Sequence, residues 1–512
     1  MTPHFRTRWL TLLGGLGACA WLLLPAPLLA SERIQDELPE MGTAAQATLS
    51  LEDEYRLGLM VMRGLRESGA VLDDPEITEY LQSLGTRLSS QAHEGNLPRQ
   101  FSYFMVRETS INAFALPGGF IGVNEGLMIE TANESELAGV LAHETAHVTQ
   151  RHIARSIQDQ GRTGLVSAAA MLAAILVGAV AHGGGNAVMG AVAAAQGIAM
   201  QSQINFTRDN EMEADRIGMG LLASAGFDPN GLPTFFETMF RRTQLGPDQI
   251  PEMLRSHPVE STRIAETKAR AAQYPAVTPK DSPSYALMKE RARVLSTPPG
   301  ADPRTYYAGV KDGDPRTPLA QIYGKALADY VAGDPAKALP VFERLRANYP
   351  QVLQFHTAYA QAQVATGDNR GALLTLEHAL KLAPRNVPVT VRYGQALLQA
   401  GRPKAAHEVL LDLFNNVPPS QEQIRLTAIA ANAAGDVADA YSYMAEYDIM
   451  GGDLPLAINQ LELALSVPNL TEVQRARYVA RIKELREAMP KRQQRAMDEG
   501  QGSSGGHGSP HG

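Results

Sequence analysis

The sequence predicts two successive folds: an α+β domain that is mostly helical with a small β-sheet, followed by an all-α solenoid of helical repeats. Three observations predict them. A strand, a turn and a second strand at residues 112–123 lead into a helix that carries an HExxH motif at residues 143–147. A second helix with several acidic residues begins near residue 209. From Gly333 onward, glycine recurs every 34 residues.

Length and composition limit the possible classes of protein. The chain has 512 residues, of which 44 % are hydrophobic and 20 % are charged, and its net charge is -8. Such a chain can form two or three domains with hydrophobic cores of their own. The sequence shows no long basic stripe interleaved with aromatic residues, so nucleic acid is not an expected partner.

Residues 1–30 are predicted to be a secretory signal peptide. Two arginines precede an apolar run from Trp9 to Leu29, and Ala30 stands at a suitable cleavage site. An uncleaved anchor stays open as an alternative, because the run is long enough to span a bilayer. A lipid attachment motif around Cys19, the only cysteine, is disfavoured because the apolar run continues past it. After cleavage, the chain would contain no cysteine and no disulfide.

The next segment, within a domain predicted at 31–295, contains the elements that precede the motif. Helical periodicity is present at residues 52–66 and 75–88, and residues 101–106 are typical of a short strand. Residues 112–123 then predict a hairpin whose turn is Pro-Gly-Gly.

The helix that follows is predicted to carry metal chemistry. Asn133, with Glu136 three positions later, resembles a capping box that starts this helix. His143 and His147 lie one turn apart on the same face, while Glu144 lies about 100° round the helix. Two imidazoles can therefore bind one ion, with a carboxylate beside it, as in zinc hydrolases. Such a motif arises by chance in about one chain in a hundred of this composition, so its context matters.

A catalytic zinc ion commonly takes three protein ligands, so a third ligand is needed. Glu211 is the best candidate, on a helix predicted at 209–225 that ends at Gly226. Asp215 lies one turn further on the same face and could orient a ligating imidazole. Glu213 points about 200° away from Glu211 and is expected on a solvated face. The prediction for the domain is therefore a zincin-like metallopeptidase fold.

Two further histidines are weaker candidates. His152 follows His143 by nine residues, about 180° round a continuous helix, and is expected to be structural or exposed. His257, in Ser256-His257-Pro258, is by itself more typical of a loop residue.

Residues 165–200 form an insertion between the two predicted helices. Residues 165–181 carry no charge, and three glycines at 183–185 separate them from a second stretch of small residues. We expect a helical hairpin that covers the active site as a lid. Insertion into a membrane remains the alternative, although one crossing would place the two metal-binding helices on opposite sides of a bilayer.

The C-terminal part is predicted to be a tetratricopeptide array. Residues 296–317 are rich in proline and glycine and form the predicted linker to an array at 318–489. The repeating positions are Gly333, Gly367, Gly401 and Gly435, then Ala338, Ala372, Ala406 and Ala440, then Pro350, Pro384 and Pro418. A period of 34 is that of tetratricopeptide repeats. Gly452 and Ala457 predict a last, irregular repeat, and residues 490–512 a disordered tail.

The HExxH motif, the preceding Asn112-Ala113-Phe114-Ala115-Leu116-Pro117-Gly118-Gly119 and the later Glu211-x-x-Ala214-Asp215 together resemble the peptidase family that contains HtpX and the CAAX prenyl endopeptidase. The resemblance implies that His143, His147 and Glu211 hold one Zn²⁺ and that Glu144 is catalytic. It also implies that Asp215 is a further active-site residue, such as a proton donor. His257 matches a histidine that, in periplasmic members, can occupy the fourth zinc position and keep the enzyme latent.

Members of this family with a signal peptide and a tetratricopeptide array imply a periplasmic endopeptidase with chaperone-like activity. Its expected substrates are unfolded or misassembled outer-membrane proteins, and its expected partner is the barrel assembly machinery, bound through the repeats. A substrate could add as a strand beside residues 112–116 (Asn112, Ala113, Phe114, Ala115 and Leu116). Two alternatives stay open: an assembly scaffold that is mainly non-proteolytic, and a membrane-associated housekeeping protease.

Overall fold

A computed structural model describes residues 49–92, 98, 100–159, 207–243, 251–278, 280–311, 314 and 316–489. The predicted signal peptide, the insertion at 165–200 and the tail at 490–512 lie outside these residues. Within the described part of the chain, no helix combines the length and the apolar character needed to cross a membrane.

Two helices open the described chain close to their predicted positions. Helix α1 spans Leu51–Glu67, and Ser50 and Asp53 form a reciprocal capping box at its start. Helix α2 spans Pro75–Ser89. The Asp74 side chain accepts a hydrogen bond from the Ile77 backbone N–H, which satisfies one of the free donors at the start of α2.

A three-stranded sheet follows, formed by β1 (Ser102–Val106), β2 (Ala113–Leu116) and β3 (Phe120–Asn124). The predicted hairpin of β2 and β3 is confirmed, and the turn requires its glycines because Gly118 and Gly119 have φ of 82° and 96°. Strand β3 lies in the centre, parallel to β1 and antiparallel to β2. Strand β2 is therefore an edge strand.

The short helix α3 (Glu125–Glu130) precedes helix α4, which spans Glu134–Thr149. The motif lies in the second half of α4. The Asn133 side chain accepts from the Glu136 backbone N–H at 3.0 Å, but the Glu136 carboxylate accepts from Ala132 rather than from Asn133. The second hydrogen bond of the capping box is thus shifted by one residue, and helix α4 still begins where it was predicted to begin.

Helices α5 (His152–Asp159) and α6 (Arg208–Ser224) complete the surroundings of the motif. Helix α6 packs directly on α4. A Cβ atom at Gly218 would lie 3.0 Å from the backbone of Ala142 and His143, so this glycine allows the two helices to approach closely. That close approach brings the acidic residues of α6 to the histidines.

Four more helices cover this part of the molecule: α7 (Gly231–Thr243), α8 (Met253–Ser256), α9 (Ser261–Ala271) and α10 (Pro283–Leu295). His257 is the C-cap of α8, and its backbone N–H donates to the backbone oxygen of Met253 at 2.8 Å. Helix α9 carries Arg263 on its buried face. The residues that follow α6 are thus folded back over the motif.

The repeats form helix pairs, as predicted. Gly333, Gly367, Gly401 and Gly435 have φ between 70° and 93° and end the first helix of their pairs, while the phased alanines are buried. Gly452, with φ of 76°, starts the last pair. The ten helices of residues 316–489 are α11 (Leu319–Val331), α12 (Pro335–Asn348), α13 (Leu353–Ala365), α14 (Asn369–Leu382), α15 (Val387–Gln399), α16 (Pro403–Asn416), α17 (Gln421–Ala434), α18 (Val437–Met450), α19 (Leu454–Ser466) and α20 (Glu472–Ala488).

The hydrophobic core runs from the first part of the chain into the first repeats without a break. Buried charges cross the same junction, because Arg291 of α10 and Arg392 of α15 both contact Asp74 and Glu76 at the start of α2. The segment predicted as a linker contains a 3-10 helix, Thr305–Tyr307, in which Tyr307 is buried. The proposed domain boundary at 296–317 stays a prediction.

One carboxyl group in the last repeats makes stability depend on pH. Burial and the neighbouring Asp453 carboxylate raise the pKa of Asp448 to about 6. Because the folded chain binds this proton more tightly than the unfolded chain, stability falls as pH rises from about 4 to about 6. Asp448→Asn is expected to stabilise the protein by about 1 kcal/mol near pH 8, allowing for solvent screening, and not near pH 4. Thermal unfolding of both proteins at the two pH values checks this; an equal difference at both would contradict it.

Candidate metal centre

The two motif histidines face one point from the buried side of α4. Their Nε2 atoms are 3.0 Å apart, and both rings are shielded from solvent. Two imidazole nitrogens that face each other so closely repel unless a proton or a cation lies between them. The predicted same-face arrangement of His143 and His147 is therefore observed, and it creates a place for a positive ion.

Helix α6 brings Glu211 to the same point. Its carboxylate oxygens lie 3.5 Å from Nε2 of His143 and 3.5 Å from Nε2 of His147. Burial alone would raise the pKa of Glu211, but His257 and Arg263 beside it lower that pKa well below its usual value. Glu211 thus presents an ionised carboxylate in a buried site, which is the form that binds a metal ion.

His257 joins this group from the loop after α8. Its Nδ1 atom is 2.9 Å from a Glu211 oxygen and 3.4 Å from Nε2 of His143. Its Nε2 atom is 3.6 Å from the Glu144 carboxylate, and the ring is fully buried. His257 therefore stands directly over Glu144, where an ordinary loop histidine would be exposed.

These four side chains fit a zinc ion. All of them are buried, and their donor atoms lie within 4.8 Å of one another. Zinc–ligand bonds of about 2.0–2.1 Å in a tetrahedron place neighbouring donors about 3.3 Å apart. Five contacts in this group, which together involve both Glu211 oxygens, are 2.9 to 3.5 Å long, close to that edge length. Three nitrogens and a carboxylate are also a donor set that zinc prefers.

Asp215 and Arg263 lie behind His143, on the side of its ring that faces away from the other donors. The Asp215 carboxylate lies 3.0 Å from Nδ1 of His143. Arg263 contacts both Asp215 oxygens, at 2.5 and 2.8 Å, and reaches Glu211 at 2.7 Å. Burial alone would raise the pKa of Asp215, but Arg263 beside it lowers that pKa below its usual value. The role of Arg263 was not predicted from the sequence, because nothing in a single arginine marks it as a partner.

Glu144 lies beside the donors without belonging to them. It is fully buried, and burial raises its pKa despite the nearby His257 and His143 rings. The backbone N–H of Ala115 in the edge strand β2 also faces this carboxylate. A buried carboxylate of raised pKa next to a metal site is suited to accept and return a proton.

Comparison with known proteins agrees with this geometry. The model of peptidase family M48 matches residues 75–271, and a tetratricopeptide repeat model matches residues 366–429. The chain is 33 % identical to the beta-barrel assembly-enhancing protease of Escherichia coli K12, over 88 % of this chain and 92 % of that protein. The chain belongs to peptidase family M48.

This M48 peptidase is also similar to further metallopeptidases. It is 32 % identical to the beta-barrel assembly-enhancing protease of Yersinia pestis, over 91 % of this chain and 96 % of that protein. The mitochondrial metalloendopeptidase OMA1 of Arabidopsis thaliana matches a smaller part, 37 % of this chain at 31 % identity. The protein is therefore a zinc metallopeptidase with a mostly helical peptidase domain, a small sheet and a tetratricopeptide array.

Two residues beside the metal-binding group of this M48 peptidase lie elsewhere than one continuous helix predicts. His152 is fully buried, and its Nδ1 is 2.8 Å from Nδ1 of His147. Helix α4 ends at Thr149 with Gln150 as its C-cap, and Arg151 has φ of 54°, so the chain turns and brings His152 back to His147. The exposed alternative assumed one continuous helix and was wrong, whereas the buried position agrees with the structural alternative. Glu213 is likewise not simply solvated, since it lies 3.1 Å from Nε2 of His152.

The predicted substrate edge lies next to this site. Residues 113–116 form β2, at the edge of the sheet, and their side chains are buried. Asn112 is also buried, and its backbone oxygen accepts from Asn124. The edge strand runs past Glu144 through Ala115. The binding of a substrate strand to this edge stays a prediction.

Proposed function

We propose that this M48 peptidase is a periplasmic endopeptidase that cleaves misassembled outer-membrane proteins and assists the assembly of β-barrels. The observation that carries the proposal is the buried group of four zinc donors beside Glu144. The names of the relatives support the biological role, since two of them are beta-barrel assembly-enhancing proteases. The predicted signal peptide supports the periplasmic location.

In the proposed mechanism His143, His147 and Glu211 hold the zinc ion. When bound, zinc lowers the pKa of a water molecule towards about 7 and polarises a peptide carbonyl. Glu144 accepts the proton of that water and returns it to the leaving nitrogen. Its raised pKa favours the accepting step, because the protonated carboxyl is stable in the buried site.

Asp215 takes an orienting role in this proposal. Its carboxylate is held by Arg263 on both oxygens and points at Nδ1 of His143. A group whose pKa is lowered in this way stays ionised and can accept the Nδ1 proton of His143. These contacts favour orientation of the ligand over donation of a proton to a leaving group.

His257 is proposed to keep the enzyme latent. Its ring stands within 3.6 Å of Glu144 and contributes the fourth donor, so water and a substrate carbonyl cannot reach the position between them. Activity then requires movement of the segment that follows α8. A binding event on the protein could supply that movement, because binding energy can favour the open state.

The repeat array is proposed to bind the partners, namely outer-membrane proteins and the barrel assembly machinery. Stacked helical repeats create an extended surface suited to protein chains. The blocked zinc site also favours a second function, in which the resting protein acts as an assembly scaffold and cleaves only substrates that fail to fold. Both functions can belong to one protein.

Complementation separates these two functions. In an Escherichia coli K12 strain that lacks its own relative, we expect the wild-type chain to restore outer-membrane integrity, measured as resistance to large antibiotics. The Glu144→Gln protein should restore assembly of β-barrels in part but not the removal of misassembled ones. Full restoration of both by Glu144→Gln would contradict a role for peptide cleavage. Failure of the wild-type chain to restore either would contradict the proposed pathway.

A further inference from the structure

The imidazole of His147 is held from behind by a second histidine. Arg151 takes a left-handed backbone conformation directly after α4, and its side chain is fixed by Glu54 at 2.7 Å and by the Leu49 backbone oxygen at 2.5 Å. A non-glycine residue in this conformation needs such support. The turn places the His152 ring 4.7 Å from the His147 ring, nearly perpendicular to it. The sharp turn at Arg151 therefore brings the two rings into contact.

The hydrogen-bond chemistry of this contact allows only one arrangement of protons. If His147 presents the lone pair of Nε2 to the metal site, its proton is on Nδ1, and it donates to Nδ1 of His152. Nδ1 of His152 must then be free of a proton, so the proton of this ring is on Nε2. That atom faces the Glu213 carboxylate at 3.1 Å.

The chain of contacts ends in a charged pair on the side of the solvent. Arg155 of α5 lies 2.5 Å from the same Glu213 oxygen. One oxygen of Glu213 thus accepts from both His152 and Arg155, and Glu213 stands two residues from Glu211 on α6.

The two motif histidines are thus supported in different ways. The Asp215 carboxylate lies next to Nδ1 of His143. Behind His147, the His152 imidazole lies between the ring and the Glu213 carboxylate. Groups behind a metal ligand fix its ring orientation and its tautomer. Without such a group, the ring could rotate or carry its proton on the nitrogen that faces the metal.

We propose that His152 and Glu213 are positioning residues that hold His147 in the orientation and tautomer needed to bind zinc. This inference rests on the proposed assignment of His147 as a ligand. Neither residue touches the substrate or the ion. Their effect is on the affinity for zinc, and through it on the fraction of enzyme that is loaded.

Zinc affinity of the full chain tests the proposal, measured by competition between the purified protein and a chromophoric chelator. His152→Ala is expected to weaken zinc binding by about 10- to 100-fold. Glu213→Gln should weaken it in the same direction by a smaller factor. His152→Asn should recover part of the loss, because its amide oxygen lies close to the position of Nδ1 and can accept the His147 proton.

Two controls make the outcome specific. Asp209→Asn removes an exposed carboxylate from the same helix as Glu213 and is expected to bind zinc as the wild type does. Unfolding of the metal-free proteins shows whether His152→Ala folds; if it does not, the partly exposed Glu213 decides the outcome. Wild-type zinc affinity in both folded His152→Ala and Glu213→Gln would overturn the proposal. His147→Ala tests the ligand assignment separately from the positioning role, since unchanged zinc affinity in that variant would show that His147 is not a ligand.

Discussion

Glu144→Gln is expected to lower peptide hydrolysis by about 10²- to 10⁴-fold while the protein keeps its zinc. Glutamine has the shape of glutamate but cannot accept the proton of the attacking water. Glu144 lies outside the group of donors, so the substitution leaves His143, His147 and Glu211 in place. Removal of a buried carboxylate whose pKa is raised by burial should also leave the folded protein at least as stable.

The measurement is casein cleavage by the purified chain, together with zinc content per chain. Glu266→Gln is the matched control, because it makes the same chemical change at an exposed position of α9, away from the donors. Its activity should equal that of the wild type. Undiminished cleavage by a zinc-loaded Glu144→Gln protein would show that another group activates the water, and the proposed mechanism would be wrong.

His257→Ala is expected to raise the same activity by about tenfold or more. The factor equals the inverse of the fraction of wild-type molecules in which His257 has left the site. Because the ring contacts both Glu211 and Glu144, its removal opens the space beside Glu144 while three donors remain. Zinc affinity should fall moderately, so cleavage must be compared at saturating zinc.

A double substitution shows where any added activity arises. Glu144→Gln combined with His257→Ala should be inactive if the released activity belongs to this site. His378→Ala, which removes an exposed histidine from the repeats, should leave cleavage unchanged. Lower activity of His257→Ala at saturating zinc, with a lower thermal midpoint, would return His257 to a structural role.

Local sequence patterns were sufficient for much of the fold. The Pro-Gly-Gly turn predicted the β2–β3 hairpin, because its two glycines must adopt positive φ. The glycine period of 34 predicted the helix pairs, since each glycine ends a helix and each phased alanine fits a close helix contact. The order of the sheet could not be predicted in this way. The central position of β3 depends on its parallel pairing with β1, which no local signal encodes.

The same division applies to the metal site. The spacing of His143 and His147 and the position of Glu211 on a second helix followed from helical geometry, which is a local property of the chain. The support of His147 by His152 did not, because it depends on one residue, Arg151, in a left-handed conformation that Glu54 stabilises from 97 residues away. Arg263 and His257 likewise reach the site only through contacts between residues that are distant in the sequence.

The sequence by itself thus determined the elements, the repeat period and the chemistry of the motif, since these depend on neighbours within one or two helical turns. Only the tertiary structure decided how α6 and α8 approach α4, and therefore which side chains meet beside the motif. The physical reason is that long-range contacts set the orientation of Glu211, Asp215 and His257, and that those contacts lower the pKa of the two carboxyl groups. These contacts form only when distant segments pack together.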